Sequence, residues 1–186
     1  EVDTYGLSIP VTKHNYLVRD AHDLPRIISD AFRIAQSGRP GPVWIDIPKD
    51  VQLQRISIDG IPAASVADPV PALDLEAIAR AAKMINEAQR PVLLLGGGVI
   101  ASGASSLAVK LAQRAALPTS LTLMALGAMP IDHPLSIGML GMHGSRYTNY
   151  TLQEADLIVC VGARFDDRAT GKTQQFCPKA KIIHID

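Results

Sequence analysis

The residue types best suited to chemistry sit in two glycine-rich turns, LGMHG at 140–144 and GARFDDR at 162–168. Glycine lets a backbone approach a pyrophosphate or a flat ring, backbone N–H groups receive an anion, and an arginine such as Arg164 neutralises phosphate. His143 can hydrogen-bond a ring or a phosphate, although a lone loop histidine is more often satisfied locally. FDDR at 165–168 packs three charges into four residues. It reads either as a solvated loop with a surface ion pair, which contributes little to stability, or as fixed charges facing a ligand or a subunit seam. The turn GGGV at 96–99 lacks the GxGxxG spacing, so by itself it is as readily an ordinary tight turn as a phosphate site. Thr122, Leu123 and Met124 end another apolar run, and Asp186 ends a third, where its carboxylate can hold ribose hydroxyls or cap a following helix. Met124, Met129, Met139 and Met142 flank the same turns, as packing for a flat cofactor or as core filling. His14, His22, His133 and His184 show no metal-ligand spacing, and no nucleophile elbow or catalytic triad is recognisable.

Something must hold these turns in one place. A helix from Asp23 is expected to bury Leu24, Ile27, Ile28, Ala31, Ile34 and Ala35, with Asp23 as its cap, Pro25 in its first turn and Gly38 as its stop. The rigid turn RPGP at 39–42 leads to a strand at 43–48, while the first 17 residues are irregular apart from a hint of order at 16–18. Residues 55–72, small and proline-rich, read as a linker. A second helix begins at Asp74 and presents Leu75, Ile78, Ala82, Ile85 and Ala88. Then follow a strand at 92–95, a helix at 106–116, a strand at 119–122, a long loop rich in Gly, Met and Pro, and a helix at 147–154. Strands at 157–161 and 181–185 end the chain. This alternation predicts an α/β fold with a parallel, doubly wound, Rossmann-like sheet. In such a sheet ligands bind outside the carboxyl ends of the strands, where the glycine turns fall, so the four polar or glycine-rich ends together favour a dinucleotide crevice.

Composition narrows the partners. Of 186 residues 47% are hydrophobic, enough for a buried core, and 18 basic side chains balance 18 acidic ones. No basic cluster supports a nucleic-acid or anionic-membrane surface, and no apolar run approaches a membrane span of about 20 residues. Without a signal-peptide pattern the expected compartment is cytoplasmic. Cys160 and Cys177 read as free thiols. The chain opens on Glu1 and stops directly after an apolar run, so a piece of a longer polypeptide is expected.

SGRPGPVWIDIPKD at 37–50, GMLGMHG at 138–144, GARFDDR at 162–168, TGK at 170–172 and KIIHID at 181–186 together resemble the large, catalytic subunit of acetolactate synthase, also called acetohydroxyacid synthase. RPGPV with a following strand is shared more widely among thiamine-diphosphate enzymes; LGMHG with GARFDDR is more specific. The resemblance implies a carboligase of branched-chain amino-acid biosynthesis that requires FAD, thiamine diphosphate and Mg2+. It condenses pyruvate with a second pyruvate or 2-oxobutyrate, losing CO2. FAD is implied to lie extended across the central domain without a redox part in the net reaction. Position by position, the resemblance implies flavin-nucleotide contacts from Arg39, from Gly97 and Gly98, and from Thr122 and Leu123. It adds Leu140, Gly141, Met142 and His143, then Gly162, Ala163, Arg164 and Asp166, and finally Asp186 near the ribose. Lys49, Asp167 and Arg168 are implied to line the substrate channel.

Residues 1–54 are then the C-terminal part of a pyrimidine-binding domain, 55–72 a linker, and 73–186 a central FAD-binding domain, truncated at its end. No catalytic residue and no metal site is expected in the chain, which is expected to be inactive alone. A homodimer or tetramer with a small regulatory subunit is implied. Two alternatives stay open: another thiamine-diphosphate enzyme of the pyruvate oxidase or glyoxylate carboligase type, and a non-catalytic nucleotide-binding module.

Overall fold

Alternating apolar residues decide how the larger part of the chain folds, and the computed structural model describes residues 2–57, 60, 69 and 71–186. It divides into two compact units, Glu1–Ala72 and Leu73–Asp186. The expected linker at 55–72 falls largely outside the described residues.

The first unit opens on a short helix, α1 (Thr4–Ser8), where an irregular stretch was expected. The Asp3 carboxylate accepts from the Gly6 N–H at 2.9 Å and caps it. Strand β1 (His14–Leu17) lies parallel to β2 (Val43–Asp46), in register from His14 beside Val43 to Leu17 beside Asp46. Helix α2 (Leu24–Gln36) makes the crossover and buries Ile27 and Ala31, and Ile27 packs with Val18, Ala21 and Val51, the last from α3 (Lys49–Gln52). Two expectations for α2 are corrected. Ile28 lies at the edge of its apolar stripe and stays exposed, and Asp23 makes no cap bond, because its carboxylate is taken by Arg26 at 3.0 Å.

In the second unit helix α4 (Leu75–Glu87) starts at Asp74, whose carboxylate accepts from the Ala77 N–H at 2.9 Å. Met84, Ile85 and the cap residue Ala88 are half-buried against the core; Leu75, Ile78 and Ala82 are exposed, against expectation, because the helix meets the core only in its last turn. Strand β3 (Pro91–Leu95), the short helix α5 (Gly97–Ala101), α6 (Ser105–Arg114) and β4 (Thr119–Leu121) follow. The expected long loop contains a strand, β5 (Ser136–Met139), at the sheet edge. Gly138 at φ +78° and a register shift beside Thr119 deprive β5 of the alternation by which strands are read. Helix α7 (Arg146–Gln153), β6 (Leu157–Val161), α8 (Asp167–Thr170) and β7 (Lys181–Ile185) complete the unit.

All five strands are parallel, in the order β5-β4-β3-β6-β7. Period-2 side chains divide the central strands between two cores. Leu93, Leu95, Leu157 and Val159 face α4, α5 and α6. Val92, Leu94, Ile158 and Cys160 face the other way, toward Leu152 of α7, Ala155, Leu140 and Phe176. The sheet is therefore doubly wound, as expected. The chain runs outward from β3 to β5 and returns to β6 on the other side of β3, so the topological switch point lies between β3 and β6. Among the described residues no helix is long and apolar enough to cross a membrane.

Candidate functional site

The register itself sets out the carboxyl edge. Met139, Leu121, Leu95, Val161 and Ile185 are successive partners across the sheet. The residues that follow them, Leu140, Thr122, Gly96, Gly162 and Asp186, therefore form one row. With strands about 4.8 Å apart the row is roughly 19 Å long. Backbone bonds continue the pairing into it, from the N–H of Thr122 to Leu95, of Gly96 to Val161 and of Gly162 to Ile185, at 2.9, 2.8 and 2.8 Å.

At the switch point the two glycine turns lie on each other. A Cβ on Gly96 would stand 2.0 Å from the Gly162 carbonyl oxygen, one on Gly98 2.9 Å from the Gly162 Cα, and one on Gly162 2.7 Å from the Val99 nitrogen. The Gly98 N–H donates to that carbonyl at 3.0 Å. Loop-to-loop contact thus accounts for glycine at 96, 98 and 162. Gly97 abuts Met124, whose side chain is exposed together with those of Leu123 and Met142. Met129, in contrast, is core.

The LGMHG turn is held from three sides. Asn149 of α7 donates from Nδ2 to the Gly141 carbonyl at 3.0 Å and accepts at Oδ1 from the Gly141 N–H at 2.8 Å. Gly141 has φ +90°, and a Cβ there would lie 2.5 Å from the Arg168 carbonyl oxygen. The Met142 N–H donates to that oxygen at 3.0 Å, and the Gly144 N–H donates to the Gly141 carbonyl at 3.0 Å. Leu140 is buried in the core, which leaves its backbone for any ligand, whereas Met142 and His143 are exposed. Thr148 donates to the Ile137 carbonyl, and the Ser145 hydroxyl lies 2.6 Å from the Thr148 hydroxyl, so the start of α7 is fastened to β5.

GARFDDR turns sharply after β6. Ala163 is buried and Arg164 exposed. Phe165 has φ +50°, a conformation that strains an aromatic residue by about 1–3 kcal/mol. Edge contacts to the rings of His184, at 5.1 Å, and Phe176, at 6.0 Å, hold it there. His184 Nε2 lies 2.8 Å from the Ala163 carbonyl oxygen and 4.0 Å from the Asp186 carboxylate. Asp166 caps α8, accepting from the N–H groups of Arg168 and Ala169 at 3.1 Å each. Its other oxygen stands 3.8 Å from Arg164 Nε, the weak surface pair foreseen as one reading of FDDR. Asp167 and Arg168 are exposed, and Arg168 has no ion-pair partner among the described residues.

A pocket of about 240 Å³ brings several expected residues together, lined by Gly141, Met142, Asn149, Asp167, Arg168 and Phe176 among others. Gly97, Gly98 and Gly162 lie at the switch point, and Asp186 at the β7 end of the row. Arg39, in the turn after α2, and Lys49, the first residue of α3, are exposed residues of the other unit. The sequence reading missed Asn149, Phe176 and His184, since side chains that clamp a distant loop leave no local pattern. Cys160 and Cys177 are free and buried, and burial pushes both thiols up to about 12.

Comparison with known proteins agrees with this geometry. Residues 78–186 match the model of the thiamine pyrophosphate enzyme central domain. Across its whole length the chain is 66% identical to the acetolactate synthase isozyme 1 large subunit of Escherichia coli (strain K12), of which it covers 33%. It is 47% identical to a probable acetolactate synthase large subunit of Methanocaldococcus jannaschii and 47% identical to the acetolactate synthase large subunit of Parasynechococcus marenigrum, covering 32% and 31% of them. The chain thus spans about a third of the length of these relatives. A doubly wound parallel sheet, glycine turns meeting at its switch point and a family match over most of the second unit lead to one conclusion: the chain belongs to the thiamine pyrophosphate enzymes and carries their central domain.

Proposed function

We propose that this chain is the flavin-bearing part of an acetolactate synthase catalytic subunit, a cytoplasmic carboligase that joins pyruvate to a second pyruvate or to 2-oxobutyrate with loss of CO2. The observation that carries the reading is 66% identity over all 186 residues to an enzyme of that name, a match that takes in both glycine turns. In this reading residues 1–54 complete a pyrimidine-binding domain and the second unit holds FAD.

The carboxyl edge suits that ligand chemically. Backbone at Gly97 is where a pyrophosphate can approach, Gly98, Gly141 and Gly162 let the neighbouring turns pack backbone to backbone beside it, and exposed Arg164 offers it a cation. Thr122 and the apolar Leu123 and Met142 give a ribityl chain and a flat ring one hydrogen-bonding and two apolar neighbours, and His143 adds a polar one. Leu140 and Ala163, whose side chains are in the core, contribute backbone. Asp166 supports the site by capping α8, and Asp186 takes the ribose hydroxyls. Asp167 and Arg168 steer a 2-oxo acid by charge and make no bond to it that changes in the reaction. The roles of Arg39 and Lys49, toward the flavin nucleotide and the substrate channel, rest on the family resemblance alone. Thiamine diphosphate, held with Mg2+ by segments outside these residues, supplies the electron sink for decarboxylation. Assembly is proposed as a homodimer or tetramer with a small regulatory subunit.

The test is acetolactate formation from pyruvate by the full-length protein, with each cofactor omitted in turn. Activity is expected only when FAD, thiamine diphosphate and Mg2+ are all present, and none from residues 1–186 alone. Full-length protein that consumes pyruvate without forming acetolactate, or that needs no FAD, overturns the reading.

A further inference from the structure

One side chain outside every expected site residue joins the two halves of the site. Asn149 projects from the second turn of α7, half-buried, and grips the backbone of one residue through both of the peptide units that flank it: Nδ2 donates to the Gly141 carbonyl at 3.0 Å while Oδ1 accepts from the Gly141 N–H at 2.8 Å. A primary amide is the side-chain group that offers one donor and one acceptor at that separation. The held residue is also the one whose φ of +90° turns the loop and whose missing Cβ lets the Arg168 carbonyl come close. The next residue, Met142, donates its N–H to that carbonyl at 3.0 Å, and Asp166 fixes the Arg168 N–H at 3.1 Å. A continuous chain of hydrogen bonds therefore runs from α7 through Asn149, Gly141 and Met142 to Arg168 and the cap of α8.

We propose that Asn149 is a positioning residue: it clamps the Gly141 backbone so that Met142 and His143 face the flavin and so that the flavin loop and Arg168 act as one unit. The inference rests on the flavin reading of the carboxyl edge. Asn149 makes no contact of its own with the reacting atoms in this account; it acts through the loop. Without the clamp the Gly141 backbone exchanges its partners for water, and the loop must be ordered again each time FAD binds, which weakens the complex.

An isosteric change separates positioning from bulk. In Asn149→Asp the carboxylate still accepts from the Gly141 N–H but sets a second oxygen against the Gly141 carbonyl; when protonated it restores both bonds. Asn149→Leu removes both at every pH. The full-length wild type and both variants are titrated with FAD by flavin fluorescence quenching from pH 8 down to pH 4, where a carboxyl with a pKa of about 3.9 is substantially protonated, each variant being referred to wild type at the same pH. Asp167 and Arg168 line the same pocket and His143 lies in the same loop, and all three are common to every protein compared, so they do not distinguish the variants. The expected result is a loss of FAD affinity of about tenfold, about 1.4 kcal/mol, for both variants at pH 8, from two lost bonds in Asn149→Leu and from one lost bond with a carboxylate set against a carbonyl in Asn149→Asp. The deficit should shrink toward pH 4 for Asn149→Asp alone. Asn149→Asp binding within twofold of wild type at pH 8, or a deficit as independent of pH as that of Asn149→Leu, overturns the proposal. Wild type that takes up no FAD at any pH is a different result, which removes the flavin reading itself and the proposal with it.

Discussion

Replacing Gly96 by alanine tests the contact between the two glycine turns at the switch point. Its backbone, at φ −109° and ψ 176°, suits alanine, so the cost is steric. The added Cβ would lie 2.0 Å from the Gly162 oxygen, 2.4 Å from its carbonyl carbon and 2.5 Å from the Ala163 Cα, all backbone atoms that no rotamer change can move. Ordinary contact begins near 3.4 Å, so the turns must part by about 1.4 Å. That opening breaks the bonds from the Gly96 N–H to Val161, at 2.8 Å, and from the Gly98 N–H to Gly162, at 3.0 Å. Two net bonds of about 1 kcal/mol each, with the desolvated groups they leave behind, bring the expected loss to roughly 3–5 kcal/mol. For a unit of this size that lowers the melting temperature by 10 °C or more. Thermal melts of the full-length protein followed by circular dichroism measure it, with Leu107→Ala as a control, since Leu107 is exposed and its loss should cost within about 0.5 kcal/mol. FAD affinity of Gly96→Ala should fall as well. A variant melting within about 2 °C of wild type would refute the steric argument.

Three further outcomes are expected. Asp156 accepts from the N–H groups of Gln89, at 2.7 Å, and Arg90, at 2.9 Å, bonds that hold its carboxyl below the usual carboxylate range. Its stabilising contribution is therefore complete above the unfolded carboxylate pKa of about 3.9 and fades as pH falls through the lower folded value. Melting temperatures of wild type and Asp156→Asn should differ at pH 7 and converge below pH 4; a difference that persists in acid sinks the assignment. Cys160 and Cys177, pushed up to about 12 by burial, should resist alkylation at pH 8 in the folded protein and react on unfolding, as mass spectrometry of their peptides would show. Arg168→Ala, at an exposed side chain, should change stability by no more than about 0.5 kcal/mol while lowering acetolactate formation, and an activity loss matched by lost stability contradicts the channel role.

The central strands β3 and β6 were legible because they are buried on both faces, while β7, an exposed edge strand, was legible from its apolar run at 181–185. β5 was not, since Gly138 and the register shift beside it erase its pattern. Helical periodicity located α4 but not which turns of its stripe meet the core, and so Leu75, Ile78 and Ala82 were misplaced while Met84 went unnoticed. At the site, glycine spacing pointed to the right turns for an incomplete reason: Gly96, Gly98 and Gly162 are small because two backbones touch, whatever ligand lies above them. Asn149 and the Phe165–His184 contact depend on pairings across 8 and 19 positions of chain that only the folded sheet brings together.

The central claim is that FAD lies across the carboxyl ends of this sheet. Amide hydrogen exchange of the full-length protein, with and without FAD, tests it most directly. Protection is predicted at Gly97, Gly98, Leu123, Met142, His143 and Arg164, with Gln89, Arg90 and Thr119 at the opposite ends of the strands unchanged. Unaltered exchange along the carboxyl edge in flavin-saturated protein, or protection concentrated at the amino ends of the strands, would contradict it.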